Sequence, residues 1–231
     1  FQVINDKAGY ISRWSAAASY AYHKPLNART SIAAGLNAGI TSVSLDRSKI
    51  VWGNLDPNDP AIGYNNGSIS KIKPEIGAGL WLYSARYFVG VSVLNIIPGK
   101  AKFVKDGNYG ETFTPNYFAT AGYRFAMTED ISVLPSVMVQ YWQPQLTGLH
   151  ANVKLQYQDF LWIGGSYRFA DLVGGYSGMI GVNISNTFNI SYAYEHASSS
   201  RLQTYTRGTH EIVLGFLLGN KYGDSCPRNI W

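Results

Sequence analysis

The chain has 231 residues, of which 46% are hydrophobic and 14% aromatic, while only 14% are charged, against about a quarter in ordinary soluble domains. This composition excludes a disordered chain, and a single cysteine excludes a disulfide scaffold. The apolar run Ile212–Gly219 is far shorter than the roughly 20 residues of a spanning helix, which excludes a helical membrane protein. The net charge of +5 comes without a basic run, so no nucleic-acid partner is expected.

Period-two alternation of apolar and polar residues predicts β-strands along the whole chain, and no amphipathic helix of comparable strength is found. The apolar face of these strands carries no Asp, Glu, Lys or Arg, because every strand charge falls on the other face. In chain order, eleven strands are predicted at residues 13–22, 32–41, 75–82, 87–93, 115–126, 131–141, 148–157, 160–169, 175–184, 188–196 and 211–218.

Two architectures produce such alternation. A soluble sandwich turns the apolar face inward, whereas a transmembrane barrel turns it toward lipid and the polar face toward its lumen. Three features favour the barrel: strands of about 9–13 residues suit a tilted span, aromatic residues collect toward strand ends as interface girdles do, and the polar face is rich in Gly and Ser. We therefore predict an all-β, antiparallel transmembrane β-barrel of the outer-membrane type.

The links between strands alternate between short ones, such as Lys24–Ala28, and ones that are often longer, such as Leu45–Pro74 and Ile97–Thr114. Outer-membrane barrels have short periplasmic turns and longer outer loops, so the last strand is predicted to run toward the periplasm. The chain then divides into a barrel over residues 1–219 and a periplasmic C-terminal tail over residues 220–231.

Eleven is an odd number of strands, whereas bacterial single-chain barrels normally have an even number. Phe1–Asn5 also has the pattern of a strand end, and an open barrel edge in lipid would leave backbone amides without partners. We therefore expect the barrel to be N-terminally incomplete, with further strands before Phe1.

Eight polar residues on the inward face form a candidate lumen network. They are Arg13, Glu75, Arg124, His150, Lys154, Arg168, Glu195 and Glu211. Their charges nearly balance, so they either line a pore or pair with one another in a plugged barrel. Bulky residues on the same face, such as Trp81, Phe88 and Trp162, favour a filled interior, because a wide water-filled pore does not need them.

No motif indicates catalysis. The four histidines show no metal-ligand spacing, and there is no HExxH or CxxC motif. A lumen could bring His150 together with Ser166 and Glu195, the kind of arrangement that a hydrolase requires, but a polar network explains the same residues. The chain is therefore not expected to be an enzyme, and no cofactor or resident metal ion is predicted.

The longest predicted loop is the best candidate for contact with a partner outside the cell. Its candidate partner-binding residues are Trp52, Asp56, Asn58, Asp59 and Tyr64. The oxygens of Asp56, Asn58 and Asp59 could ligate Ca²⁺, although Asx–Pro turns explain the same residues without a metal ion.

The tail is basic and ends on an aromatic residue, so it is a candidate docking segment for a periplasmic protein, with a disordered end as the alternative. Its candidate docking residues are Cys226, Pro227, Arg228 and Trp231. A lone cysteine cannot form an internal disulfide, and Cys226 is interpreted as an incidental thiol.

Short motifs recur along the chain in a definite order. They are INDKAGY at 4–10, ASYAY at 18–22, AGLNAGI at 34–40, DPNDP at 56–60, GAGL at 77–80, TAGY at 120–123, LWIGGSYR at 161–168, SYAY at 191–194, GTHEI at 208–212 and CPR at 226–228. In this order, and over nearly the whole chain, they resemble the PorP/SprF family of type IX secretion system membrane proteins of Bacteroidota. The sequence departs from the family pattern at its beginning, and the resemblance implies that about the first third of that pattern precedes Phe1.

The resemblance implies an outer-membrane barrel without catalytic residues that acts in secretion or in retaining secreted proteins at the cell surface. Some family members work with a periplasmic lipoprotein ring and its partners. Others pair with a large adhesin, bound through its C-terminal sorting domain, and support gliding motility. We therefore expect a barrel that binds or anchors such a cargo, and an outer-membrane pore or transporter for a small solute is the alternative.

Overall fold

The computed structural model describes residues 1–46, 68–102, 110–142, 146–158, 160–169, 174–184, 188–198 and 208–216. These residues form 15 β-strands, and they contain no helix that is long and apolar enough to cross a membrane. The strands are β1 Gln2–Ala8, β2 Ile11–Pro25, β3 Thr30–Asp46, β4 Ser68–Ser84, β5 Tyr87–Leu94, β6 Gly99–Lys102, β7 Gly110–Phe113, β8 Asn116–Tyr123, β9 Phe125–Ala126, β10 Ile131–Trp142, β11 Leu146–Tyr157, β12 Leu161–Phe169, β13 Gly175–Ile184, β14 Phe188–Ala197 and β15 Thr209–Phe216.

One sheet contains 13 of these strands in the order β1-β2-β3-β4-β5-β8-β10-β11-β12-β13-β14-β15, with β9 paired to β10. The remaining two strands, β6 and β7, form a separate antiparallel hairpin. Neighbours in the large sheet follow chain order and pair antiparallel, which is the order of an up-and-down barrel. The predicted all-β antiparallel fold is therefore confirmed.

A strand is present at each of the eleven predicted positions, although the one predicted over 115–126 is divided into β8 and β9 and residues 217–218 lie outside the described residues. The structure also corrects what lies between the strands. Strands β3 and β4 have 17 residues each, so the loop predicted over Leu45–Pro74 is shorter than expected. The link predicted over Ile97–Thr114 contains the β6–β7 hairpin. These segments were missed because their alternation depends on Ser, Thr and Lys rather than on a strong apolar face.

The chain divides into two compact units. The first contains residues 1–22, 35–79 and 93–116, and the second contains residues 23–34, 80–92 and 117–231. In the first unit, buried Val43 and Phe113 form an apolar cluster. In the second unit, Ala33, Tyr83 and Phe88 form another, against which Trp81 and Leu134 pack.

In the second unit, the usual distribution of polar and apolar side chains is inverted. On β12, Leu161, Ile163, Tyr167 and Phe169 are exposed, whereas the alternate Arg168 is partly buried. Polar side chains are shielded in the same unit, with Ser132 only 8% and Gln156 only 4% exposed. A soluble sandwich has the opposite arrangement, so the exposed apolar face is suited to lipid.

On the polar face, large aromatic rings lie over glycines of neighbouring strands. Trp162 and Gly181 are register partners, and a Cβ on Gly181 would overlap the Trp162 indole. Phe88 likewise covers Gly122, where a Cβ would approach the ring to 2.5 Å. The absent side chains of these glycines leave the space that the rings fill on the polar face.

We expect Gly181→Ala to destabilise the folded protein by about 1–3 kcal/mol, because the added methyl group forces the Trp162 ring from its position. The matched control is Gly178→Ala in the same strand, where a Cβ meets nothing within 4 Å. Urea unfolding of the protein in lipid vesicles, followed by tryptophan fluorescence, measures both variants. Equal urea midpoints for the two variants would contradict the packing of the Trp162 ring over Gly181.

Candidate functional site

The clearest polar cluster lies on strands β11–β14 of the second unit. The Arg168 Nη2 and Glu195 Oε1 atoms are 2.9 Å apart, although their strands, β12 and β14, are separated by β13. The residue between them is Gly175, which is the register partner of Arg168. A Cβ on Gly175 would lie 3.6 Å from Glu195 Oε1 and 2.8 Å from the His196 carbonyl oxygen. The glycine therefore leaves the ion pair room to cross over β13.

Two further groups border this ion pair. The Ser166 and Ser177 hydroxyls, on register partners, are 2.6 Å apart. His150 is the register partner of Arg168, and its Nε2 atom is shielded and makes no hydrogen bond within the described part of the chain. The structure thus brings His150, Arg168 and Glu195 to one region, but the Ser166 hydroxyl bonds to another serine rather than to histidine.

The other predicted members of the lumen network lie apart from this cluster. The Lys154 Nζ atom lies 4.6 Å from the centroid of the Trp162 ring. Arg124 Nε donates a hydrogen bond of 3.0 Å to the Ser132 hydroxyl. Glu211 is exposed on β15, opposite Ala193. The polar residues of the second unit thus make several local contacts of different kinds.

Arg13 and Glu75 belong to the first unit. Arg13 is exposed on β2 with Asp6 as its register partner, and Glu75 is partly buried on β4. Two residues before Glu75 lies Lys73, whose ammonium is 4.3 Å from the centroid of the Phe113 ring. Lys73 was not singled out from the sequence, because Phe113 lies in a hairpin that the alternation did not predict.

A cleft of about 460 Å³ lies at the short-turn end of the second unit. Its charged lining consists of Arg86, Arg124, Glu129 and Asp130. The Gln158 amide donates a hydrogen bond of 3.1 Å to Asp130 Oδ1, so the cleft wall is held by contacts between two turns. Because the lining carries two positive and two negative side chains, it favours neither anions nor cations.

Aromatic pairs border the apolar face of the second unit at both strand ends. At the short-turn end are Tyr123–Phe125 and Phe188–Phe216, with ring centroids 4.6 and 5.0 Å apart. At the long-loop end are Tyr167–Phe169, Tyr176–His196 and Tyr194–His210, at 4.5, 5.3 and 5.0 Å. Two such bands flank the apolar belt of membrane barrels.

Several predicted site residues lie outside the described residues. They are the loop residues Trp52, Asp56, Asn58, Asp59 and Tyr64 and the tail residues Cys226, Pro227, Arg228 and Trp231. Their roles, including the open question of Ca²⁺, stay predictions. Within the described ranges, no three His, Cys, Asp or Glu side chains come together closely enough to hold a metal ion.

An antiparallel sheet in chain order, with an exposed apolar face between aromatic bands and a shielded polar face, defines an outer-membrane β-barrel protein. The chain belongs to the PorP/SprF family, because residues 1–216 match the family described as type IX secretion system membrane protein PorP/SprF. The resemblance deduced from the ordered motifs is thereby confirmed, and the chain is an outer-membrane component that interacts with other parts of that secretion system.

No curated protein matches the chain. Among solved structures, the CymD monoaromatic hydrocarbon channel is similar, with 13% identity and a TM-score of 0.48 over 92% of this chain and 75% of that chain.

A double-mutant cycle on Arg168→Gln and Glu195→Gln should give a coupling free energy of about 0.2–1 kcal/mol in favour of the pair. The value is small because the two side chains are 32% and 42% exposed, so water screens the charges. Urea unfolding of the protein in lipid vesicles, at low and at high salt, measures this coupling free energy. In the control cycle, Glu211→Gln replaces Glu195→Gln and should show no coupling to Arg168.

A coupling free energy between Arg168 and Glu195 above the stated range would contradict the prediction, because it would mean that water screens this ion pair less than its exposure indicates.

Proposed function

We propose that this protein is a barrel of the type IX secretion system that binds or anchors a secreted, adhesin-like protein through the C-terminal sorting domain of that protein. It supports secretion or gliding motility and is not an enzyme. The observation that carries the proposal is the family match over residues 1–216. The inverted polarity of the sheet supports it, since such a surface is suited to lipid.

An anchor rather than an open pore is favoured by the aromatic filling of the polar face in the second unit. Tyr83 and Phe88 are only 7% and 6% exposed, and the Trp81 and Phe88 rings stack with centroids 5.0 Å apart. Aromatic rings that pack against one another on the inward face exclude water, whereas a wide aqueous channel needs a wetted polar wall. The filled face therefore supports a protein that holds a partner at its rim.

The proposed partners occupy opposite sides of the membrane. The loop that carries Trp52 and Tyr64 extends outside the cell and contacts the secreted protein. The tail over residues 220–231 extends into the periplasm, where it docks on the lipoprotein ring or on another component of the secretion machinery. This orientation rests on the alternation of short and long links.

A pore or transporter for a small solute is the second candidate, and rows of polar contacts on the inward face favour it. In the second unit, the Ser166 and Ser177 hydroxyls are 2.6 Å apart, and the Asn189 amide donates to Asn183 Oδ1 at 2.5 Å. Small hydroxyl and amide groups of this kind can line the path of a polar solute.

Purification from native membranes, followed by mass spectrometry, should recover a secreted protein with a C-terminal sorting domain together with type IX secretion components. Replacing Trp52 and Tyr64 by alanine should reduce the recovered cargo, because the large apolar contacts of the outer loop are lost. His150→Ala is the control, and cargo retention should be unchanged in that variant.

Two results would contradict the anchoring role. One is a preparation that retains neither a secreted protein nor any secretion component. The other is steady, large conductance of the purified protein in planar bilayers, which would favour the pore.

The single cysteine allows the orientation to be tested. A membrane-impermeant maleimide should label Cys226 only after the outer membrane is permeabilised, because the tail is proposed to lie in the periplasm. In a Cys226→Ser background, Tyr64→Cys should be labelled on intact cells. Labelling of Cys226 on intact cells would reverse the proposed orientation.

A further inference from the structure

The β6–β7 hairpin covers the polar face of strands β3 and β4 in the first unit. Phe113 of the hairpin and Val43 of β3 bury each other, with only 7% and 1% of their surfaces exposed. Thr41, two residues before Val43 and on the same face of β3, is also 1% exposed. The hairpin is therefore packed against the strands rather than extended into solvent.

Lys73 lies beneath this hairpin. Its ammonium faces the Phe113 ring at 4.3 Å from the centroid, and a Cβ on Gly99, the first residue of the hairpin, would come within 3.1 Å of Lys73 Cε. The Nζ atom is shielded and forms no hydrogen bond with any residue that the structure describes. A group with three hydrogen-bond donors is thus shielded without a hydrogen bond, and the carboxylate that acts on its charge is that of Glu75, two residues along the same strand.

The contact with the Phe113 ring holds the Lys73 ammonium only weakly. A cation–π contact contributes about 0.5–1 kcal/mol at exposed sites and about 2 kcal/mol when desolvated. A carboxylate would provide charge-assisted hydrogen bonds, which are about twice as strong as neutral ones. Leaving a shielded charge without hydrogen bonds also has a cost that such a partner removes. A carboxylate that reaches Lys73 therefore competes effectively with the Phe113 ring.

The position of Lys73 makes it reachable from outside the bilayer. Strands β3 and β4 have 17 residues each, whereas a tilted span needs about 9–11. Val43 lies near the end of β3 at Asp46, and Lys73 lies near the start of β4 at Ser68. Lys73 and the part of β3 beneath the hairpin are thus close to strand ends, where a peptide in water can reach them.

We propose that the β6–β7 hairpin is a displaceable cover and that Lys73 beneath it binds a carboxylate group of a peptide ligand. The proposal deepens the cargo-binding role and rests on it for the source of the peptide. When the ligand binds, Phe113 leaves the ammonium, the carboxylate takes its place, and the hairpin moves from the face of β3 and β4.

Hydrogen–deuterium exchange of the purified protein in lipid nanodiscs tests the proposal, with a tetraglutamate peptide as the probe and tetraglutamine as the uncharged control. Tetraglutamate should accelerate exchange at the amides of residues 99–102 and 110–113, and tetraglutamine should not. Lys73→Gln should raise the basal exchange of these amides by about 2- to 5-fold, which is the loss of a cation–π contact of 0.5–1 kcal/mol, and should abolish the response to tetraglutamate.

Lys71→Gln is the matched control, because Lys71 lies on the same strand but is exposed, and it should retain both the basal exchange and the response. Phe113→Leu is a second variant that keeps an apolar contact with Val43. It should show faster basal exchange while still responding to tetraglutamate, because Lys73 is intact.

The proposal is overturned if tetraglutamate leaves hairpin exchange unchanged in the native protein, or if it accelerates exchange equally in Lys73→Gln. Cargo recovery from native membranes is measured separately. If tetraglutamate has no effect on the native protein but the cargo is still recovered with it, only the Lys73 site is rejected. If no cargo is recovered with the native protein, the anchoring role is rejected.

Discussion

The structure depends on the requirement that backbone amides and carbonyls in lipid find partners within the protein. An antiparallel sheet whose strands follow chain order satisfies this requirement for the strands between β1 and β15, because each of them pairs with the strand before it and the strand after it in the sheet order. Hydrogen bonding alone does not decide which face meets lipid. That choice is made by side chains, and the exposed Ile163 and Ile180 show that this sheet turns its apolar residues outward.

Because the apolar residues face outward, the inward polar face is filled by several different kinds of contact. It has to be filled without a conventional apolar core, and in the second unit it is filled by rings that lie over glycines, as at Trp162 and Gly181. It also has to neutralise its charges, as Arg168 and Glu195 do across Gly175. Glycine has a common role in both cases, because an absent Cβ makes space for a ring or for an ion pair.

In the first unit, the polar face is filled by a hairpin. There the β6–β7 hairpin supplies Phe113 to the polar face, and the ring contacts both Val43 and the Lys73 ammonium. Among the described residues the backbone of this hairpin pairs only within itself, so displacing it breaks fewer backbone hydrogen bonds than removing a strand of the large sheet.

Much of the fold could be predicted from the sequence, because alternation in segments such as 148–157 and 175–184 depends on strong apolar residues at every second position. The family could also be recognised, since it depends on the order of short motifs. Strand ends were less predictable where serine and lysine replace apolar residues, as in β4 between Ser68 and Lys73. The candidate site was partly predictable: the polar face of each strand could be assigned, but not the contacts between strands.

The sequence by itself determined that this protein is an antiparallel membrane sheet of the PorP/SprF type, because polarity along a strand is a local property of consecutive residues. Only the tertiary structure decided that Arg168 reaches Glu195 rather than another carboxylate, and that Lys73 lies beneath Phe113. The physical reason is that such contacts depend on strand register and on the packing of a hairpin. Both arise from interactions between segments that are distant in the chain, and no local pattern records them.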